Sequence, residues 1–74
     1  MARARVAKSF PASSAIDRAS YEAGTKVLDI FYAGGDRYSY FDVPPRDYRA
    51  LMEAPSIGAF VNRRIKPFYR YSRE

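Results

Sequence analysis

The chain has 74 residues, so it holds a single domain at most. It contains no cysteine and no histidine, which excludes disulfides and argues against a structural zinc ion as the means of stabilising so small a domain. Seven tyrosines and five phenylalanines favour a compact aromatic core instead.

No run of apolar residues approaches the ~20 needed to cross a bilayer, and no secretory apolar region follows the basic N-terminus. We therefore expect no membrane partner. The absence of cysteine is compatible with the cytoplasm, which is the expected location.

The net charge of +5 is distributed unevenly along the chain. Residues 1–13 carry three bases, residues 14–55 carry five bases and seven acids, and residues 56–74 carry five bases and one acid. Two basic ends around a nearly neutral middle suggest an anionic partner. The alternative is a solubilising surface with a disordered basic arm.

An Ala- and Arg-rich segment opens the chain. Residues 1–12 are predicted to be a flexible basic arm that carries Arg3, Arg5 and Lys8. Residues 13–74 are predicted to form the folded domain.

Three strands are predicted in the first half of that domain. Residues 13–22 are expected to form an edge strand with a bulge, because their apolar positions are spaced by three and then two. Residues 22–25 are predicted to form the turn after it, in which Gly24 can take a positive φ. Residues 26–33 and 36–43 read as strands from their β-branched and aromatic content, joined by a two-residue turn at Gly34–Gly35.

Alternation along these strands assigns residues to the two faces of the sheet. The face expected to lie against helices is the more apolar one and carries Leu28, Ile30, Tyr38 and Tyr40. The opposite face is expected to display an apolar cluster of Val27, Phe31 and Phe41. An exposed cluster of that kind would mark a protein partner or a homodimer surface.

Two short helices are predicted after Pro44 and Pro45, which end the last strand. The first has Tyr48, Leu51 and Met52 at helical spacing. The second is capped by Ser56 and has an apolar stripe, with Gly58 in its first turn suggesting a close approach to another backbone. The stripe consists of Ile57, Phe60, Val61 and Ile65. The expected fold is thus α+β, a three-stranded antiparallel meander followed by two short helices packed on one face.

Catalysis is not predicted. The nucleophile–base pairs of acyl transfer usually need histidine, which is absent. The Gly34–Gly35 pair joins two strands and lacks the lysine and helix of a phosphate-binding loop. We expect no catalytic residue, no cofactor and no metal.

Binding of an anion is the preferred class of function. Four bases and three aromatic residues lie near the end of the second helix, the aromatic ones being Phe68, Tyr69 and Tyr71. The predicted binding residues among them are Arg63, Arg64, Lys66, Arg70, Tyr69 and Tyr71. Arginine matches phosphate geometry and tyrosine rings can stack on unpaired bases, so the cluster predicts nucleic-acid binding. Alternatively, the bases complement the helix dipole and the tyrosines belong to the core.

The segment Gly35–Pro44, with the sequence GDRYSYFDVP, resembles the central motif of the KTSC domain family, a Tyr-x-Tyr strand followed by Val-Pro. The resemblance extends over residues 13–71 and departs from the family pattern at Pro55. This family occurs at the C-terminus of some lysyl-tRNA synthetases and as small free-standing proteins of bacteria and their phages. The resemblance implies the α+β fold and carries over no catalytic residue. The synthetase context of the family suggests RNA as the partner. The leading hypothesis is a non-enzymatic RNA or other nucleic-acid binding module, and the alternative is a protein-interaction or dimerisation module.

Overall fold

The computed structural model describes residues 5–73. Within this range the chain forms five strands and two helices, the second of which continues as a π-helical segment. In chain order these are β1 (Arg5–Ser9), β2 (Ile16–Glu22), β3 (Val27–Tyr32), β4 (Arg37–Tyr40), α1 (Pro45–Glu53), α2 (Ile57–Phe60), the π-helical segment (Val61–Ile65) and β5 (Tyr71–Arg73). All neighbouring strands pair antiparallel, and their order in the sheet is their order in the chain.

The predicted α+β class is confirmed, with an antiparallel sheet and two short helices. The predicted strand count is wrong, because the three-stranded meander of β2, β3 and β4 is extended by β1 at one edge and β5 at the other. β2 is therefore an interior strand, although it was expected at the edge.

Part of the predicted basic arm forms a strand in the structure. β1 pairs with β2 from Arg5 opposite Glu22 to Ser9 opposite Arg18. This strand could not be predicted from apolar alternation, which is weak in β1. Backbone pairing with β2 orders it instead. Arg3 and the side chain of Arg5 lie outside the described residues.

The expected bulge in β2 is confirmed. Ile16 lies opposite Tyr32 and Arg18 lies opposite Phe31, so the register shifts across Asp17. The extra residue directs Ile16 into the core, where it is fully buried.

Both predicted turns exist with different backbone geometry. The β3–β4 hairpin closes through Tyr32, whose N–H donates to Asp36 O at 2.8 Å and whose carbonyl accepts from Gly35 N–H at 2.9 Å. Of the two glycines only Gly35 has a positive φ, at 103°. The hairpin is therefore a three-residue loop with a bulge and not a two-residue primed turn. In the β2–β3 turn the positive φ of 58° belongs to Lys26 and not to Gly24.

The junction between sheet and helices is held by Tyr21. Its hydroxyl donates to Val43 O at 2.6 Å, and its ring stacks on Tyr48 of α1 with centroids 4.7 Å apart. Val43 N–H in turn donates to Lys26 O at 2.9 Å. The positive φ of Asp42, 60°, turns the chain out of the sheet just before this point.

The core lies between the helices and one face of the sheet. Its fully buried members are Ile16, Ala19, Leu28, Ile30, Tyr40, Val43, Leu51, Val61 and Ile65. Burial of each large apolar side chain contributes about 1.5–3 kcal/mol. The predicted cap is confirmed, because Ser56 Oγ accepts from Ala59 N–H at 3.3 Å.

Gly58 makes the close approach that its position suggested. A Cβ atom added there would lie 3.3 Å from the Cβ of Ala15. The neighbour that comes close is thus a methyl group and not a backbone atom.

No helix within residues 5–73 is long and apolar enough to cross a membrane.

Candidate nucleic-acid interface

The segment 66–73 leads from the π-helical segment into β5 and carries most of the predicted binding residues. It begins with a tight turn, in which the N–H groups of Phe68 and Tyr69 both donate to Ile65 O at 3.1 Å. It then joins the sheet edge, where Arg70 O accepts from Phe41 N–H at 2.9 Å. Both ends of the segment are therefore fixed by backbone hydrogen bonds.

Tyr69 anchors this segment to α1. Its hydroxyl donates to the carboxylate of Asp47, and its half-buried ring packs against the core. Burial raises the pKa of Tyr69 to about 12, assisted by the hydrogen bond to Asp47 and the negative charge of that carboxylate. Of the two predicted stacking residues, Tyr69 is thus the less available.

Tyr71 is 50% exposed and belongs to a cluster of tyrosines at the β4–β5 edge. Its ring centroid lies 5.4 Å from that of Tyr38 and 5.7 Å from that of Tyr40. Tyr32 completes the group. Its ring centroid lies 5.2 Å from that of Tyr38, and its hydroxyl oxygen lies 3.4 Å from the hydroxyl oxygen of Tyr40. We call these four residues the tyrosine cluster. Burial is the main cause that raises the pKa of Tyr40 above its ordinary value.

Two cations lie beside the tyrosine cluster. Lys66 Nζ and the Arg73 guanidinium are each 5.9 Å from the ring centroid of Tyr38. Arg73 also donates to Asp36 Oδ1 at 3.2 Å, and this hydrogen bond raises the pKa of its guanidinium. Sequence reasoning missed Arg73. Had β5 been recognised, alternation from Tyr71 would have placed Arg73 on the same face.

Arg63 and Arg64 lie on the π-helical segment and are exposed. Both line a cleft of about 370 Å³ beside Phe60, and the Arg64 guanidinium is 5.8 Å from the centroid of that ring. Arg64 also lines a second cleft of about 420 Å³ that includes Arg46 and the 71% exposed Phe68. Phe68, like Phe60, was not among the predicted stacking residues, yet its ring lies beside arginines.

Arg70 lies apart from both groups. Its guanidinium is 3.8 Å from the Asp42 carboxylate and 5.7 Å from the ring of Phe41. Adjacent strand residues point to opposite faces, which separates Arg70 from Tyr71. The predicted set is therefore divided into four parts. Lys66 and Tyr71 lie at the tyrosine cluster, Arg63 and Arg64 on the helix, Tyr69 on Asp47 of α1, and Arg70 beside Asp42.

The helix-free face of the sheet does not display the expected apolar cluster. The residues predicted to form it, Val27, Phe31 and Phe41, are all partly buried. Arg18 and Arg37 cover the ring of Phe31, with guanidinium carbons 4.2 and 5.7 Å from its centroid. Between Val27 and Phe31 the strand presents Asp29, whose carboxylate accepts from Ser39 Oγ at 2.5 Å. The face is therefore a mixed polar surface, because cationic side chains lie over its aromatic ring.

Another cleft, of about 540 Å³, lies between the β1–β2 connection and the α1–α2 junction. Its apolar lining includes Phe10, Met52 and Ile57. Lys8 of the predicted basic arm lines this cleft, whereas none of the six residues of the predicted cluster does. In the part of the chain described, no group of three or more acidic, histidine or cysteine residues is arranged to hold a metal ion.

Comparisons with known proteins agree with this fold. The KTSC domain model matches residues 12–71. A protein of Tsukamurella paurometabola is 41% identical over 58 residues, which is 78% of this chain and 87% of that protein. The lysine–tRNA ligase of Nostoc punctiforme is 39% identical over 61 residues, which is 82% of this chain but only 11% of the ligase. The crystal structure of a KTSC domain protein from Yersinia pestis superposes with a TM-score of 0.85 at 28% identity and covers 96% of this chain and 99% of that one.

Proposed function

The chain belongs to the KTSC domain family, and we propose that it is a non-enzymatic module that binds RNA or another nucleic acid through segment 66–73 and the adjoining helix. One observation carries the proposal. The segment exposes two aromatic rings, Phe68 and Tyr71. Phe68 shares a cleft with Arg46 and Arg64, and Tyr71 packs against Tyr38, beside which Lys66 and Arg73 lie. Bases can stack on such rings while the cations contact the phosphates, as in proteins that bind single strands.

The cations are suited to different parts of this task. Arg63 and Arg64 offer planar guanidinium groups that match a phosphate, whereas Lys66 offers a compact point charge. Arg70 pairs with Asp42, but both side chains are highly exposed, so the pair is weak and a phosphate can replace the carboxylate. The basic N-terminal residues add salt-sensitive attraction.

One relative supports RNA as the polyanion that this chain binds. The lysine–tRNA ligase of Nostoc punctiforme contains a segment similar to most of this chain, and its name identifies tRNA as its substrate. A small domain attached to such an enzyme has RNA in its immediate surroundings. This context supports RNA as the first ligand to test.

The test is fluorescence anisotropy with labelled single-stranded RNA, tRNA and duplex DNA, at low and at near-physiological salt. We expect binding to single-stranded RNA or tRNA that persists at near-physiological salt. The double variant Arg63→Ala/Arg64→Ala should bind more weakly. Each phosphate contact contributes about 0.7 to the log–log salt slope for single strands, so this variant should lower the slope by about 1.4.

The matched control is Arg18→Ala/Arg49→Ala, which removes the same charge from exposed positions on the helix-free face and on α1. It should retain both the affinity and most of the salt slope. If the two double variants bind equally, or if wild-type binding is confined to low salt, the bases act only through the net charge and the proposed site is wrong.

The alternative function is a protein-interaction or dimerisation module that uses Val27, Phe31 and Phe41. It has less support, because Arg18 and Arg37 cover the ring of Phe31. The absence of enzymatic activity and a cytoplasmic location stay predictions.

A further inference from the structure

We propose that Tyr71 is the stacking position for an unpaired nucleobase, with Lys66 and Arg73 contacting the phosphates on either side of that base. This inference rests on the proposed function and assigns its base-binding site. It also adds Arg73, which sequence reasoning did not include, to the residues that contact the ligand.

The first observation is the packing of the Tyr71 ring. Tyr71 lies in β5 directly opposite Tyr40, which is fully buried. Its ring rests against Tyr38 and Tyr40 at 5.4 and 5.7 Å, so one side is supported by the tyrosine cluster. Half of the side chain stays exposed. A ring held in this way loses little conformational freedom when a base stacks on it.

The second observation is the position of the two cations. Lys66 and Arg73 come from opposite ends of segment 66–73, yet each lies 5.9 Å from the ring of Tyr38, the neighbour of Tyr71. A base on Tyr71 would therefore bring its adjoining phosphates near both charges. The hydrogen bond of Arg73 to Asp36 uses one of five guanidinium N–H donors and is exposed, so donors remain for a phosphate.

The other aromatic residues of the segment are less suitable. Phe68 shares its cleft with the carboxylate of Asp47, which repels a phosphate. Tyr69 is half-buried and its hydroxyl is bound to that same carboxylate. Tyr71 is the one of these three whose exposed ring rests on other tyrosine rings, and Lys66 and Arg73 lie beside the adjoining Tyr38.

The geometry also selects the class of nucleic acid. Within a duplex, both faces of a base are covered by its neighbours, so stacking on Tyr71 requires a base that is unpaired or at a strand end. The ligand is accordingly single-stranded RNA or a single-stranded part of a folded RNA, in preference to duplex DNA.

The test compares Tyr71→Ala and Tyr71→Phe on two labelled oligomers: a short single-stranded RNA of mixed sequence, and an abasic oligomer of the same length that keeps the phosphates. Tyr71→Ala should weaken RNA binding by about 5- to 150-fold, which corresponds to about 1–3 kcal/mol of stacking on one base. It should leave binding of the abasic oligomer unchanged. Tyr71→Phe should bind both oligomers as the wild type does.

A second measurement avoids any loss of folding in the alanine variant. The chain contains no tryptophan, so Tyr71→Trp introduces a single indole fluorophore. RNA should quench its emission strongly and the abasic oligomer should not. Phe68→Trp provides the matched control at the other exposed ring and should be quenched less.

The outcomes separate this inference from the proposed function. If Tyr71→Ala binds RNA normally while Arg63→Ala/Arg64→Ala does not, the stacking site is wrong and the proposed function stands. Equal losses on RNA and on the abasic oligomer would likewise overturn the stacking role. If the wild-type protein binds no nucleic acid at all, both proposals are wrong.

Discussion

Tyr21 provides the sharpest test of how this fold is held together. It is 2% exposed, and its hydroxyl donates to Val43 O at 2.6 Å, at the point where the chain leaves the sheet for α1. Tyr21→Phe removes the hydroxyl and keeps the ring, so the stacking on Tyr48 is preserved and no large cavity forms. The variant therefore isolates one hydrogen bond.

The expected cost follows from the carbonyl that is left behind. Val43 is fully buried, so water does not readily replace the lost donor. Leaving a buried acceptor unsatisfied costs about 1–3 kcal/mol, and we expect about 2 kcal/mol here. For a domain of this size, 1 kcal/mol shifts the melting temperature by about 4–8 °C, so the melting temperature should fall by roughly 8–16 °C.

The measurement is urea and thermal unfolding followed by circular dichroism. Tyr71→Phe is the matched control, because it removes the hydroxyl of a half-exposed tyrosine and should change stability by less than about 0.5 kcal/mol. If Tyr21→Phe is no less stable than this control, Tyr21 does not hold the junction, and this account of the sheet-to-helix connection is wrong.

Three further predictions test other parts of the molecule. The pKa of Tyr69 is raised to about 12, so the contribution of the Tyr69 hydroxyl to folding stability should be complete below pH 10 and decline as the pH rises towards 12. In a series of unfolding midpoints measured against pH, Tyr69→Phe should flatten that decline. Gly58→Val should destabilise by about 1–3 kcal/mol, because its first carbon alone comes within 3.3 Å of Ala15; the double variant with Ala15→Gly should recover part of the loss in urea unfolding. Sedimentation velocity should show a monomer at every concentration for both the wild type and Phe31→Arg, whereas an association abolished by Phe31→Arg would favour the dimerisation hypothesis.

The interior elements of the fold could be predicted because their local signals agree with their packing. β3 and β4 alternate apolar side chains towards the helices, and the bulge of β2 followed from the spacing of Ile16, Ala19 and Tyr21. The Ser56 cap and the prolines before α1 likewise act through neighbouring residues. The two edge strands carry no such signal. The side chains of residues 6–9 in β1 and those of β5 are exposed, and backbone pairing with β2 and β4 orders the two strands.

The candidate site was predicted in composition but not in arrangement. Four of the predicted bases and both tyrosines do lie on or beside segment 66–73, but spacing along the chain could not show that Tyr69 reaches Asp47, 22 positions away. It also could not reveal Arg73, whose neighbour Tyr38 is supplied by another strand. Alternation identifies which side chains share a face, and not which arginines lie over them, so the position of Arg18 and Arg37 over Phe31 could not be predicted.

The π-helical segment links the core to the proposed binding surface. Ile57, Val61 and Ile65 are each four residues apart, and in an α-helix of 3.6 residues per turn such positions drift by about 40° at every step. The wider π-helical turn, closed by Lys66 N–H to Val61 O at 2.8 Å, offsets this drift and keeps Ile65 buried. The helix then ends with Lys66 beside Tyr38. The same turn that leaves Ile65 buried in the core therefore also leads to a cation beside the tyrosine cluster.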